Sequence, residues 1–226
     1  GNYSYSVMQA STTGTSSESM PITGVSWFSA ARFANWMANG QPAGVEDSTT
    51  TENGTYNLNG ATSGTAVAKN TINPNTGAAP TFYIPSENEW YKAAYYNGAG
   101  TYYSFATQSN TLPGNNVNST SSNQANYLDD AGNGYSVSQS PALSLTQTYL
   151  TNVGAFVNST SHYGTFDQTG NVWEWNDLDG KSSKLRGLKG AAWTSTPPYL
   201  QSSYRLITVP ASISVNVGMR LAHTYP

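Results

Sequence analysis

The chain has 226 residues, 37% apolar and 12% aromatic, enough to bury one large core and too apolar for wholesale disorder. Only 9% are charged, the net charge is −3 and the Lys and Arg residues are scattered, which excludes a basic stripe for nucleic acid or an anionic membrane. There is no cysteine, so disulfides, thiolate metal sites and thiol nucleophiles are excluded together, and no apolar run reaches the length that spans a bilayer.

The surface this leaves is rich in Ser, Thr, Asn, Gly and Tyr, a composition that suits a secreted or cell-surface setting. Asn-x-Ser/Thr sequons at Asn2, Asn53, Asn118 and Asn158 fit that setting, although such a composition generates them by chance. Gly1 reads as the start of a processed or trimmed product.

The first predicted element is a helix over residues 26–40. Ser26 is a good N-cap, Gly40 a good terminator, and Trp27, Ala30, Ala34 and Met37 recur at helical spacing, with Phe33 and Trp36 widening the apolar face. Residues 55–60 read as half of a hairpin, and residues 81–85 alternate into a second helix over 85–97. There Ser86 and Glu89 form a capping box, with Trp90, Ala93, Ala94 and Tyr95 on the buried side. Glu87 and Glu89 are explained by that first turn and its dipole without a catalytic role. Residues 109–127 form a long polar loop, of the kind that is functional or metal-stapled in a compact domain. Alternation resumes in 185–193 and 216–222. Without an internal repeat or linker, one domain over residues 1–226 is expected.

The blocks PITGVSWFSAARFANWM, FYIPSENEWYKAAYY, YGTFDQTGNVWEW, RGLKGAAW, SSYR and VGMRLA occur in this order. The series, from Tyr3 to Ala222, resembles the formylglycine-generating-enzyme/sulfatase-modifying domain, in the bacterial branch found on secreted, PEP-CTERM-tagged proteins. The resemblance implies an α+β, C-type-lectin-like fold: two helices, small antiparallel sheets and much loop. It also implies a further segment upstream of Gly1, whose place a strand from a neighbouring copy could take.

Glu174 stands between Trp173 and Trp175, and in a strand it points away from both indoles, on the side of Val172. A buried carboxylate needs a partner. The family resemblance implies a structural Ca²⁺, with Asn171 and Glu174 as side-chain ligands and Gly170 and Val172 as carbonyl donors, a hard-oxygen set that suits the ion. The other reading is an ion pair with Arg186, Arg205 or Arg220. A second Ca²⁺ site implied by the family maps onto Asn126, the Tyr127 carbonyl and Asp129 or Asp130. Residues 176–180 read as a turn, because an EF-hand loop would need a later glutamate.

The family's oxidation chemistry depends on a cysteine pair, whose positions fall here at Ser195 and Leu200. The iron-dependent relatives need three histidines, and this chain has only His162 and His223. No other catalytic motif is present, and His162 reads as a loop residue. No catalytic residue is therefore assigned. A metal-dependent oxidoreductase with an unrecognised site remains the rival.

The remaining expectation is recognition or assembly, with protein, carbohydrate or copies of itself as partner. The resemblance places a ligand-binding face on Trp193, Thr194, Ser195, Thr196, Tyr199, Tyr204, Leu206, Ile207, Thr208, Ser212, Ile213 and Ser214. In diversity-generating retroelement proteins that share the fold, this face varies at Asn codons, and many of these residue types belong to the set such variation yields. Tyrosine, sixteen in all, adds rigid contact area that suits either a binding surface or a core edge.

Overall fold

Ser26 starts the first helix. In this computed structural model, which describes residues 17–224, α1 runs over Trp27–Ala38, and Ser26 Oγ accepts from Ser29 N at 3.1 Å. The sequon at Asn2 and the start of the family resemblance at Tyr3 lie outside the described residues. The second helix, α2, covers Glu87–Tyr95 and is opened by the expected capping box: Glu89 N donates to Ser86 Oγ at 3.3 Å, and Ser86 N to Glu89 Oε2 at 2.8 Å.

The strands are short. β1 (Phe82–Tyr83) pairs antiparallel with β8 (Ala222–His223), and β2 (Leu128–Asp129) with β3 (Gly134–Tyr135). The largest sheet has the order β6-β5-β4-β7, made from Leu206–Thr208, Arg186–Lys189, Trp173–Asn176 and Val217–Gly218. β4 and β5 are antiparallel, as are β5 and β6, but β7 runs parallel to β4, so the sheet is mixed and not purely antiparallel. All four residues of β4 are buried, so both faces of this strand are covered, and Trp175 Nε1 reaches Val25 O at 3.0 Å.

Residues 55–60 do not form the expected hairpin half. Only Tyr56 makes a bridge, to Lys69, because the fully buried amide of Asn35 takes over its backbone. Asn35 Oδ1 accepts from Tyr56 N at 2.7 Å, and its Nδ2 donates to Tyr56 O at 2.8 Å and to Thr51 O at 2.7 Å. A side chain thus supplies the bonds a strand would have supplied. Elsewhere alternation is cut short: 185–193 is strand only over β5, since the backbone turns to positive φ at Gly190 and Ala191.

The described residues form two compact units, each built from separated stretches of chain. One comprises 17–21, 94–172 and 190–202; the other 22–93, 173–189 and 203–224. The first packs Tyr149 against Trp193, stacked at 5.1 Å, with Tyr135 tilted against both and Phe105, Phe156 and Tyr127 buried. In the second, Trp27 meets Phe28 and Tyr56 edge-on, each at 5.3 Å, alongside the buried Ile84, Trp90, Trp175 and Leu188.

Candidate functional site

Glu174, on β4 and buried, is held by charge. Arg220 donates to both of its carboxylate oxygens, Nη2 to Oε1 at 2.6 Å and Nε to Oε2, and Trp90 Nε1 donates to Oε2 at 2.7 Å. Of the three arginines offered as alternatives to a metal, Arg220 is the partner. The guanidinium neutralises the carboxylate and fills its two oxygens in a forked geometry, so a dication at this oxygen pair would have to displace a permanent positive charge. Of the two readings that the sequence leaves open for Glu174, the ion pair is the arrangement seen here.

Asn171 and its neighbours lie in the other unit. Asn171, at φ +68°, points its side chain at the backbone of Thr151, with Oδ1 accepting Thr151 N and Nδ2 donating to Thr151 O, both at 3.2 Å. Oδ1 also accepts the amide of Asn126 at 3.1 Å, while Asn126 O accepts Asn171 N at 2.8 Å. The two sets of oxygens that the sequence kept apart are thus joined through Asn126 and Asn171. The Gly170 carbonyl accepts Val172 N at 3.0 Å, and the Tyr127 carbonyl faces Asn115 Nδ2 at 3.4 Å. Asp129 sits in the β2–β3 hairpin with Oδ2 on Asn133 N at 3.0 Å, and Asp130 is exposed at its turn. Burial, and then the charge of Asp129, push the Tyr127 hydroxyl up to about 12. Both lone pairs of Asn171 Oδ1 are in use, so an ion there would cost two hydrogen bonds. Among the described residues no group of three His, Asp or Glu side chains gathers as metal ligands.

The predicted ligand face divides between the units. In the first, Ser195 is buried, its Oγ accepting Ala192 N at 3.0 Å to close a turn, and Leu200 is wholly buried. Both positions that the family resemblance assigns to thiols are thus structural. Trp193 stacks on Tyr149, Thr194 and Thr196 are half-buried, and Tyr199 is exposed. In the second unit, Tyr204, Leu206, Thr208 and Ser212 are half-buried, with the Thr208 and Ser212 hydroxyls 2.9 Å apart. Ile207, Ile213 and Ser214 are exposed, and with them Val209 and Val215. This run includes β6, the end strand of the sheet among the described residues.

Two charged groups escaped the sequence. Asp177, at the end of β4, accepts Trp27 Nε1 and Tyr56 Oη, each at 2.6 Å, and lies 3.1 Å from Arg186 Nε without aligning that N–H as a hydrogen bond. Burial pushes its carboxyl up to about 6 against the pull of Arg186 and the two hydrogen bonds. Lys189 is buried beside Glu87 at 3.9 Å, donates to Tyr204 O at 2.9 Å, and sits 5.0 Å from the Tyr91 ring centroid. Burial lowers its pKa, Glu87 opposing and Arg205 adding to the effect. Glu87 also takes Arg205 at 2.7 Å, so it does more than complement a helix dipole. Nothing local in the sequence marks these partners, which lie from nine to about 150 positions apart.

Two helices, a small mixed sheet, short antiparallel pairs and long loops held by side-chain amides define a C-type-lectin-like fold of the formylglycine-generating type. A family model for the sulfatase-modifying factor enzyme 1-like domain matches residues 4–225, and the chain belongs to that family. No curated protein matches it. Among solved structures it is similar to the Treponema denticola variable protein 1, at 19% identity and a TM-score of 0.52 over 93% of this chain and 73% of that one. It is likewise similar to PvdO from Pseudomonas aeruginosa (16%, TM-score 0.51, 93% of this chain, 64% of that one). A third likeness is to CarF (20%, TM-score 0.51, 92% and 69%). This chain therefore spans less than two thirds of PvdO, and at these identities the likeness is one of fold. No helix among the described residues is long and apolar enough to cross a membrane.

Proposed function

We propose that this domain is a non-catalytic recognition and self-assembly module acting at the cell surface or in secretion, with β6 as its contact edge. The observation that carries the reading is the exposure of Ile207, Val209, Ile213 and Val215 within one short run of a sparsely charged protein. Among the described residues β6 ends its sheet, and an end strand with bare apolar side chains is where another chain's strand adds. The thiol chemistry of the family has no counterpart here, since the chain has no cysteine and Ser195 and Leu200 serve packing.

Sedimentation velocity over a concentration series tests the assembly. The wild type is expected to associate and Ile207→Lys to stay monomeric; a wild type that is monomeric up to its solubility limit overturns it. Incubation with copper and a cysteine-containing sulfatase peptide is expected to give no aldehyde, and aldehyde formation would restore an enzyme.

Calcium belongs to this reading as a proposal drawn from the family. With Glu174 on Arg220 and Asn171 Oδ1 doubly engaged, the donors left to test are Asn126, the Tyr127 carbonyl, Asp129 and Asp130. A Ca²⁺-dependent rise in Tm that Asp129→Asn abolishes supports an ion there, and no rise removes it.

One solved structure of like fold is named a variable protein, and Tyr199, Ile207, Ile213 and Ser214 are exposed in the segment where the family resemblance places a variable face. That second reading, a variable ligand face, requires a near-copy template repeat in the neighbouring DNA.

A further inference from the structure

The unit that contains residues 94–172 carries an exposed surface with a different chemistry. Residues 95–103 close a tight turn, with Tyr103 N donating to Tyr95 O at 2.8 Å, Asn97 N to Thr101 O at 3.1 Å, and Tyr96 bridged to Tyr102. Asn97 Oδ1 stiffens it, accepting Ala99 N at 2.9 Å and Thr101 N at 3.1 Å. Residues 161–165 close another turn: Ser161 N donates to Thr165 O at 2.8 Å, and the two hydroxyls meet at 2.6 Å. The turns meet at Gly98, whose φ is +80° and where a Cβ would lie 2.6 Å from His162 Cε1. Only glycine lets the imidazole pack so close.

The result is a fixed group of four rings. Tyr96 is 5.7 Å from Tyr102, 5.9 Å from His162 and 6.0 Å from Tyr163, the last nearly parallel at 17°, and His162 is 5.2 Å from Tyr163. Tyr102 and Tyr163 are 46% and 51% exposed. Around them the sequence is uncharged: residues 93–128 and 131–166 contain no Asp, Glu, Lys or Arg.

We propose that this group is a docking platform for an uncharged polysaccharide. The C–H faces of neutral sugar rings complement the electron-rich faces of the tyrosines. Tyrosine offers this area at low entropic cost, and two turns already locked by hydrogen bonds lower the cost of ordering further. Neither turn carries a charged side chain, so nothing in them answers the charge of nucleic acid or an acidic glycan. Protein hot spots typically pair such rings with arginine, and no arginine occurs in these segments. The platform stands independently of the β6 reading.

Native electrophoresis in gels cast with a soluble β-glucan, an α-glucan or a galactomannan tests it. Retardation by at least one polymer is expected, insensitive to salt. Tyr102→Ala and Tyr163→Ala are expected to weaken it by about fivefold or more each, and Tyr163→Phe to retain it. Because both tyrosines are surface residues, an unchanged thermal melt shows that the alanine variants still fold. Ile207→Lys is expected to leave retardation untouched, which separates a failure here from a failure of β6 assembly. No retardation in any of the three gels overturns the proposal, as does retardation that survives both alanine changes. Loss of self-association in the alanine variants would assign the rings to a second copy and overturn it equally.

Discussion

Asn171 Oδ1 accepts the side-chain amide of Asn126 at 3.1 Å, across 45 positions of sequence. The contact holds two loops together, beside the bridge between Asn126 and Gly170, and it needs that glycine. Gly170 has φ +85°, and a Cβ there would lie 2.2 Å from the backbone oxygen of Asn126. Backbone cannot step aside as a side-chain tip can. Gly170→Ala is expected to cost more than about 3 kcal/mol, from strain and the lost loop contact together, read as a lower urea midpoint.

The assignment of Glu174 to Arg220 predicts metal-independent behaviour. Glu174→Gln removes the charge that the half-buried Arg220 guanidinium forks and is expected to destabilise by roughly 3 kcal/mol. The loss should be the same in EDTA and in millimolar Ca²⁺. A loss confined to Ca²⁺-containing buffer would return this carboxylate to a metal.

The helices were legible because their signals are local. Ser26 and Ser86 mark starts, Glu89 completes the capping box three residues on, and apolar spacing fills in the rest. The site was legible only as a choice. A buried Glu174 announces that it has a partner, but Arg186, Arg205 and Arg220 look alike in sequence, and the one that reaches it is 46 positions away. Residues 55–60 misled for the same reason. Their alternation is strand-like, yet the side chain that bonds Tyr56 stands on α1, 21 positions earlier, and no period records that.

That substitution of an amide for a strand can be tested at Asn35. Asn35→Leu keeps the volume and leaves Tyr56 N, Tyr56 O and Thr51 O, partly or wholly buried, without these partners. A loss of about 3 kcal/mol or more in chemical denaturation is expected. Asn35→Asp should recover none of it, since a carboxylate accepts from Tyr56 N but sets an unpaired buried charge against the two carbonyl oxygens.

The acid side of the stability curve belongs to Asp177. Its carboxyl is raised from an ordinary 3.8 to about 6, first by burial, with Arg186, Tyr56 and Trp27 pulling the other way. A raised native pKa means that the folded protein holds this proton more tightly than the unfolded chain. Between the two values the native state therefore binds more protons, and stability falls as pH rises. The contribution is complete below the unfolded pKa and gone above about 6, amounting to roughly 3 kcal/mol for a shift of this size. Asp177→Asn cannot titrate, so its Tm should lack this slope, whatever the substitution costs at neutral pH through the charge left on Arg186. Tm measured at intervals from pH 4 to pH 7 checks it: the difference between wild type and variant is expected to move in favour of the wild type on acidification. A difference that is flat, or that moves the other way, means that Arg186 wins and the carboxylate stays ionised through this range.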